Sequence, residues 1–149
     1  MEELDAKLND ILVDTFRNIL RVEQNMMRSE GKLILSIGEV HCIEAIGKQE
    51  DRTITEIARE LDITTATACA TVDRLERKGY VTRTRSNGDR REVHVDLTER
   101  GKKVDRIHKG FHRNMIRRIM EGFTREEAEI MLRGVERLDR FFRSAAHKD

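Results

Sequence analysis

Apolar positions recur at helical spacing from the first residues of the chain. Leu4, Leu8, Ile11, Leu12, Ile19 and Leu20, with Phe16 between them, predict a long first helix to about Met27, broken by Gly31. Ser36-Ile37-Gly38-Glu39 has the form of a capping box and starts a second helix, which runs to about Ile46 and stops at Gly47. Thr53-Ile54-Thr55-Glu56 repeats that form and opens a short helix with Ile57, Ala58 and Leu61 on its inner face. After Asp62-Ile63, Thr64 can cap a fourth helix from about Thr65 to Lys78, closed by Gly79. Two short helices joined by so tight a turn form a helix-turn-helix.

The period then changes. Tyr80 to Arg85 and Glu92 to Leu97 read as two strands around an Asn87-Gly88 turn. Thr98 caps a fifth helix, and Thr124-Arg125-Glu126-Glu127 is a third capping box that opens a sixth. The expected fold is mostly α with a small β-wing, a winged helix-turn-helix flanked by long helices that form a dimerisation region. Its parts are residues 1–32, 33–100 and 101–149, intertwined as a single domain. Val104, Ile107, Phe111, Met115 and Ile119 line one flanking helix; Ile130, Met131, Val135, Leu138, Phe141 and Phe142 line the other. The small winged part cannot cover all these stripes. They must bury one another, most economically across a two-fold dimer.

Composition narrows the class. Of 149 residues, 38% are charged and 38% hydrophobic, with no tryptophan or proline. No apolar run approaches the roughly 20 residues of a membrane span, and the acidic start is not a signal peptide. Cys42 and Cys69 lack metal or redox spacing, which fits a reducing cytoplasm. Each reads as a small buried hydrophobe or as a thiol sensor.

Charge changes the picture more than composition does. The net charge is only +1, yet residues 1–14 hold five acids and one lysine. Between positions 74 and 91 stand seven Lys/Arg against Glu76 and Asp89. Such a local excess is the footprint of a polyanion partner.

The fourth helix supplies a matching surface. Ala68, Val72 and Leu75 should pack inward, leaving Thr65, Ala66, Thr67, Ala70, Thr71 and Arg74 outside, with Thr64 at the helix start. That face is small and polar enough to enter a major groove about 12 Å wide. Threonines can bond phosphates or base edges; Arg74 can fork onto guanine or hold a phosphate. An ordinary solvated helix face would look the same, so the hairpin decides. Repulsion among Arg83, Arg85, Arg90 and Arg91 is relieved by DNA, whose released counterions drive binding. An arginine tip also senses minor-groove width. Asp89 would oppose binding unless it holds a neighbouring arginine. The competing reading, a charged edge that resists aggregation, leaves the basic excess unexplained. No enzyme is expected: there is no glycine-rich phosphate loop, and Cys42 and His41, adjacent on a helix, point about 100° apart.

The stretch "TVDRLERKGYVTRTRSNGDRREVHVDLTERG", from Thr71 to Gly101, resembles the core signature of MarR-type transcription regulators. Its parts are "RLERKGYV", "DRR" and "LTERG", and the six-helix order matches over essentially the whole chain. The resemblance implies a homodimer with recognition helices from Thr65 in successive major grooves. It places the wings, bearing Asp89, Arg90 and Arg91, in the minor groove. Ala70 stands where many relatives carry a longer polar residue, which shifts specificity toward DNA shape.

Three stretches, "SIGEVHCIEAIGK", "LERKGY" and "RIHKGFHRNMIRRIMEGFTREEAEIM", are similar to the FabT-like branch that represses bacterial fatty-acid synthesis genes. That likeness implies a long-chain acyl effector delivered on acyl carrier protein, and no required cofactor. Phe16, Leu20, Ile37, His41, Phe111 and Met115 are candidates for an apolar slot. Arg106, Lys109, Arg113 and Arg117 form a basic stripe on which an acidic carrier protein can dock. Dimer core and solvated face are the plainer readings of the same residues. His108 and His112, four apart on one helix, can present two imidazoles to a metal, and His41 and Glu23 lie in segments able to meet them. These four match in position the ligand set of zinc-responsive relatives; without metal they form a hydrogen-bonded cluster against the core. The partners expected are double-stranded DNA, a second copy of the chain and acyl carrier protein, with no membrane role.

Overall fold

A computed structural model describes residues 2–29, 35–85 and 93–146. In chain order these form α1 (Glu2–Ser29), α2 (Ile37–Ile46), β1 (Arg52–Thr53), α3 (Ile54–Glu60), α4 (Thr65–Arg77), β2 (Val81–Arg85), β3 (Val93–Leu97), α5 (Glu99–Met120) and α6 (Arg125–Ala146). This is the expected winged helix-turn-helix with long helices on either side. Gly31 and the Asn87-Gly88 turn lie outside the described residues.

Each expected cap is present. Ser36 and Thr53 accept from the backbone N–H of Glu39 and Glu56, whose side chains reach back to the cap nitrogens. Thr64 Oγ1 accepts from Thr67 N, and Thr124 exchanges the same pair of bonds with Glu127. The start of a helix is set by residues three apart, so it is written locally.

The sheet is larger than expected. β3 lies between β1 and β2, antiparallel to both, with Arg83 opposite Val95 and Arg52 also opposite Val95 on the other side. β1 has two residues and carries no period of its own. Its pairing comes from Asp51, at φ 59°, whose N–H donates to Asp96 Oδ1. The left-handed backbone at Asp51 is one that aspartate tolerates better than most residues.

The chain falls into two compact units, residues 1–108 and 109–149. The first holds the core: Val40, Ile43 and Ile46 of α2, Ile57 of α3, Val72 and Leu75 of α4, and Tyr80, Val81, Val95 and Val104. Along α1, Leu4, Leu8, Ile11 and Phe16 are exposed. The second holds the later part of α5 and α6. There Ile116, Ile119, Ile130, Leu132, Val135, Phe141 and Phe142 are exposed. Among the described residues no helix is long and apolar enough to cross a membrane.

The end of α4 is fastened to α5. Gly79, at φ 77°, turns the chain so that Tyr80 N donates to the Leu75 carbonyl and Gly79 N to that of Glu76. Thr98 then donates its N–H to the Tyr80 carbonyl and its hydroxyl to that of Gly79. Arg100 donates to the Lys78 carbonyl and lies 4.4 Å above the Tyr80 ring. A Cβ at Gly101 would stand 2.2 Å from the Tyr80 oxygen, so only glycine allows this approach. The "LTERG" run is therefore the bolt between recognition helix and α5.

Candidate nucleic-acid interface

On α4, Ala68, Val72 and Leu75 are buried, as the spacing predicts. Thr64, Thr65, Ala66, Thr67 and Ala70 are exposed. The Thr64 and Thr67 hydroxyls lie 2.8 Å apart, tied together at the N-terminus of the helix. Thr71 corrects the expected pattern. It is buried, because positions 68, 71, 72 and 75 together make one inward stripe at helical spacing. Its hydroxyl donates to the Thr67 carbonyl at 3.0 Å and accepts from Arg74 Nη2 at 3.0 Å.

Arg74 keeps 47% of its side chain exposed while its Nε lies 3.6 Å from Glu39 Oε1. Glu39 is 3% exposed and takes Lys78 Nζ on both oxygens, at 2.7 and 2.9 Å. One buried carboxylate of α2 thus holds two cations of the recognition helix. Burial alone would raise the Glu39 pKa. The Lys78 hydrogen bond, the Ser36 backbone bond and the charges of Lys78 and Arg74 outweigh it and hold the carboxyl below the ordinary glutamate value. From the sequence alone Glu39 reads only as a helix cap.

Arg83 is turned toward the recognition helix. Its Nη2 lies 2.6 Å from Asp73 Oδ1 and donates to the Cys69 carbonyl at 3.2 Å. It joins wing strand to α4 and is only 23% exposed. The remaining wing candidates, Asp89, Arg90 and Arg91, lie outside the described residues, as does the tip that carries them.

A second cluster sits away from this face. Glu23 of α1, His41 of α2 and His108 of α5 bring ligand atoms within 4.8 Å of one another. His41 Nε2 and His108 Nε2 each stand 3.9 Å from a Glu23 oxygen. His108 Nδ1 lies 3.1 Å from Glu44 Oε2, while the other ring nitrogen faces Glu23. Two imidazoles and a carboxylate are a donor set that suits zinc. His112 follows one turn later on α5, in the second unit, with its ring edge-on to Phe111.

Of the slot candidates, Phe16 is exposed; Leu20, Ile37 and His41 in the first unit, and Phe111 and Met115 in the second, are half-buried. Arg106, Arg113 and Arg117 are exposed and Lys109 is half-buried. Cys42 is fully buried, and burial pushes its thiol up to about 11, against a lowering by Arg74. That thiol packs as a hydrophobe.

Known proteins share this architecture. Residues 35–93 match a family model described as the MarR family. The chain is 33% identical over 98 residues to the uncharacterized HTH-type transcriptional regulator YhjH of Bacillus subtilis, covering 66% of this chain and 56% of that one. It therefore spans little more than half of YhjH. The HTH-type transcriptional repressor YetL of Bacillus subtilis is 27% identical over 141 residues, 93% of this chain and 81% of its own. Among solved structures, Streptococcus pneumoniae FabT in complex with DNA superposes with TM-score 0.88 at 37% identity, covering 93% of this chain and 97% of that one.

Proposed function

The chain belongs to the MarR family of winged helix transcription regulators, and from that premise we propose that it is a repressor that binds double-stranded DNA sequence-specifically as a homodimer. The observation that carries this reading is the outer face of α4. Its exposed threonines and alanines and half-exposed Arg74 form a narrow, cation-ended surface. The FabT neighbour was solved on DNA. Side chains of that size enter a major groove, while Arg85, Arg90 and Arg91 meet phosphate and the minor groove. Two copies joined through their exposed apolar helices present two such faces to half-sites about 34 Å apart, one helical turn of DNA. Occupying that site excludes the transcription machinery.

Because phosphate contacts release counterions, the salt dependence of binding tests the wing directly. Replacing Arg90 and Arg91 by alanine should weaken duplex binding and flatten the log–log salt slope by roughly one unit per lost contact. An unchanged slope removes the wing from the interface. The effector proposed is a long-chain acyl group carried on acyl carrier protein, and the regulated genes those of fatty-acid synthesis. Only carrier loaded with a long chain should then tighten binding, and charge reversal at Lys109 and Arg113 should abolish the effect.

The convergence of Glu23, His41 and His108 favours a second reading, a metal-responsive regulator. Bound zinc would link three helices, α1, α2 and α5. Zinc titration should then shift duplex affinity, and His108→Ala should cancel the shift. Affinity that ignores zinc leaves the cluster as a buried polar brace.

A further inference from the structure

We propose that Glu39 and Thr71 are positioning residues that hold Arg74 in one pose and so set the base preference of the recognition helix, although both are buried away from its outer face. This rests on the DNA-binding reading above. Arginine has many rotamers, and a free one must lose that freedom on meeting DNA. Here a hydrogen bond to Thr71 and an ion pair to Glu39 already restrict it. Thr71 has one hydroxyl proton, given to the Thr67 carbonyl, so the oxygen turns its lone pair to Arg74 Nη2. Glu39 cannot swing away. Its Oε2 accepts from Ser36 N at 2.8 Å, and both its oxygens hold Lys78 Nζ.

Thr71 takes one Nη2 hydrogen and Glu39 lies 3.6 Å from Nε, leaving Nη1 and the other Nη2 hydrogen as a fork on a side chain 47% exposed. That fork is the geometry that reads O6 and N7 of guanine. One carboxylate shared by Arg74 and Lys78 leaves a net positive charge there, so the pair still favours DNA. A phosphate contact tolerates many arginine poses, whereas a base contact needs one. The bracing therefore points to base reading.

The test is selection from a randomised duplex library by the full-length protein, comparing wild type with Arg74→Ala, Glu39→Gln, Thr71→Val and the Glu39→Gln/Arg74→Ala double variant. Gln keeps the capping reach of Glu39, and Val keeps the shape of Thr71. Arg74→Ala should erase the preference at one base pair per half-site, on the order of 5- to 150-fold for a bidentate arginine. Glu39→Gln and Thr71→Val should each cut that same preference by roughly tenfold, leave other positions unchanged and leave the salt slope intact. In the Arg74→Ala background Glu39→Gln should do nothing further. Should Glu39→Gln fail to fold, Thr71→Val carries the same test alone. An unaltered motif in the brace variants, a loss spread evenly over all positions, or a Glu39→Gln effect that persists without Arg74 overturns the proposal. If wild type selects motifs and Arg74→Ala keeps them intact, the DNA-binding reading stands and this inference falls. If wild type enriches no duplex, both fall.

Discussion

Glu39 shows how a single buried charge can be kept at low cost. The carboxylate has Lys78 on both oxygens, a backbone N–H behind it and Arg74 nearby, so its charge is paired on every side that matters. A folded pKa below the unfolded one contributes stability that is fully present above the unfolded value and lost as pH falls through the folded one. Glu39→Gln should therefore cost about 1–2 kcal/mol at neutral pH, kept modest because the Lys78 ammonium stays partly in water. The gap from wild type should shrink in denaturant unfolding below about pH 5; a gap that stays constant to pH 3 would show that the charge is not what stabilises. The capping role of Glu39 was legible, since Ser36 stands three residues before it. Its hold on Lys78 joins residues 39 positions apart, which no local pattern reveals. The pairing of Arg83 with Asp73 joins wing strand to α4 and is hidden from local patterns for the same reason.

Among elements, the helices were readable and the joints between them were not. Caps and amphipathic stripes are written within a few residues, and α1 to α6 follow them closely. β1 has two residues and exists because β3 offers an edge, so it was missed. The junction of α4 with α5 was present in the sequence as a family motif without a mechanism. Its partners are the backbone carbonyls of Lys78, Gly79 and Tyr80, and carbonyls have no letter in the sequence. Gly101→Ala would press a methyl group onto the Tyr80 oxygen and should cost about 1–3 kcal/mol or more, read from thermal or denaturant unfolding. DNA affinity should fall with it, since the recognition helix is bolted at that point. An alanine variant as stable as wild type would mean that α5 can slide without disturbing α4.

For the molecule as a whole, the apolar side chains left on α1 and α6 exceed what scattered surface residues account for. A second copy is the economical cover. Sedimentation at micromolar concentration should give twice the 17.4 kDa of one chain. Leu8→Glu and Phe141→Glu should each shift the mass toward the monomer, because a two-fold interface buries the new charge twice, at roughly 2–4 kcal/mol per copy. Duplex affinity should drop in parallel. Monomeric wild type that still binds a palindromic duplex tightly would separate recognition from self-association.

Tyr80 is the sole tyrosine, and the chain has no tryptophan. Its phenol ring lies buried beneath the Arg100 guanidinium, two residues past the C-cap of α4. Excited at wavelengths longer than phenylalanine absorbs, the protein thus emits from one place. A change in its intensity on adding a duplex, an acyl carrier or zinc registers motion at the root of the reading helix, with no dye attached and no background from the flanking helices.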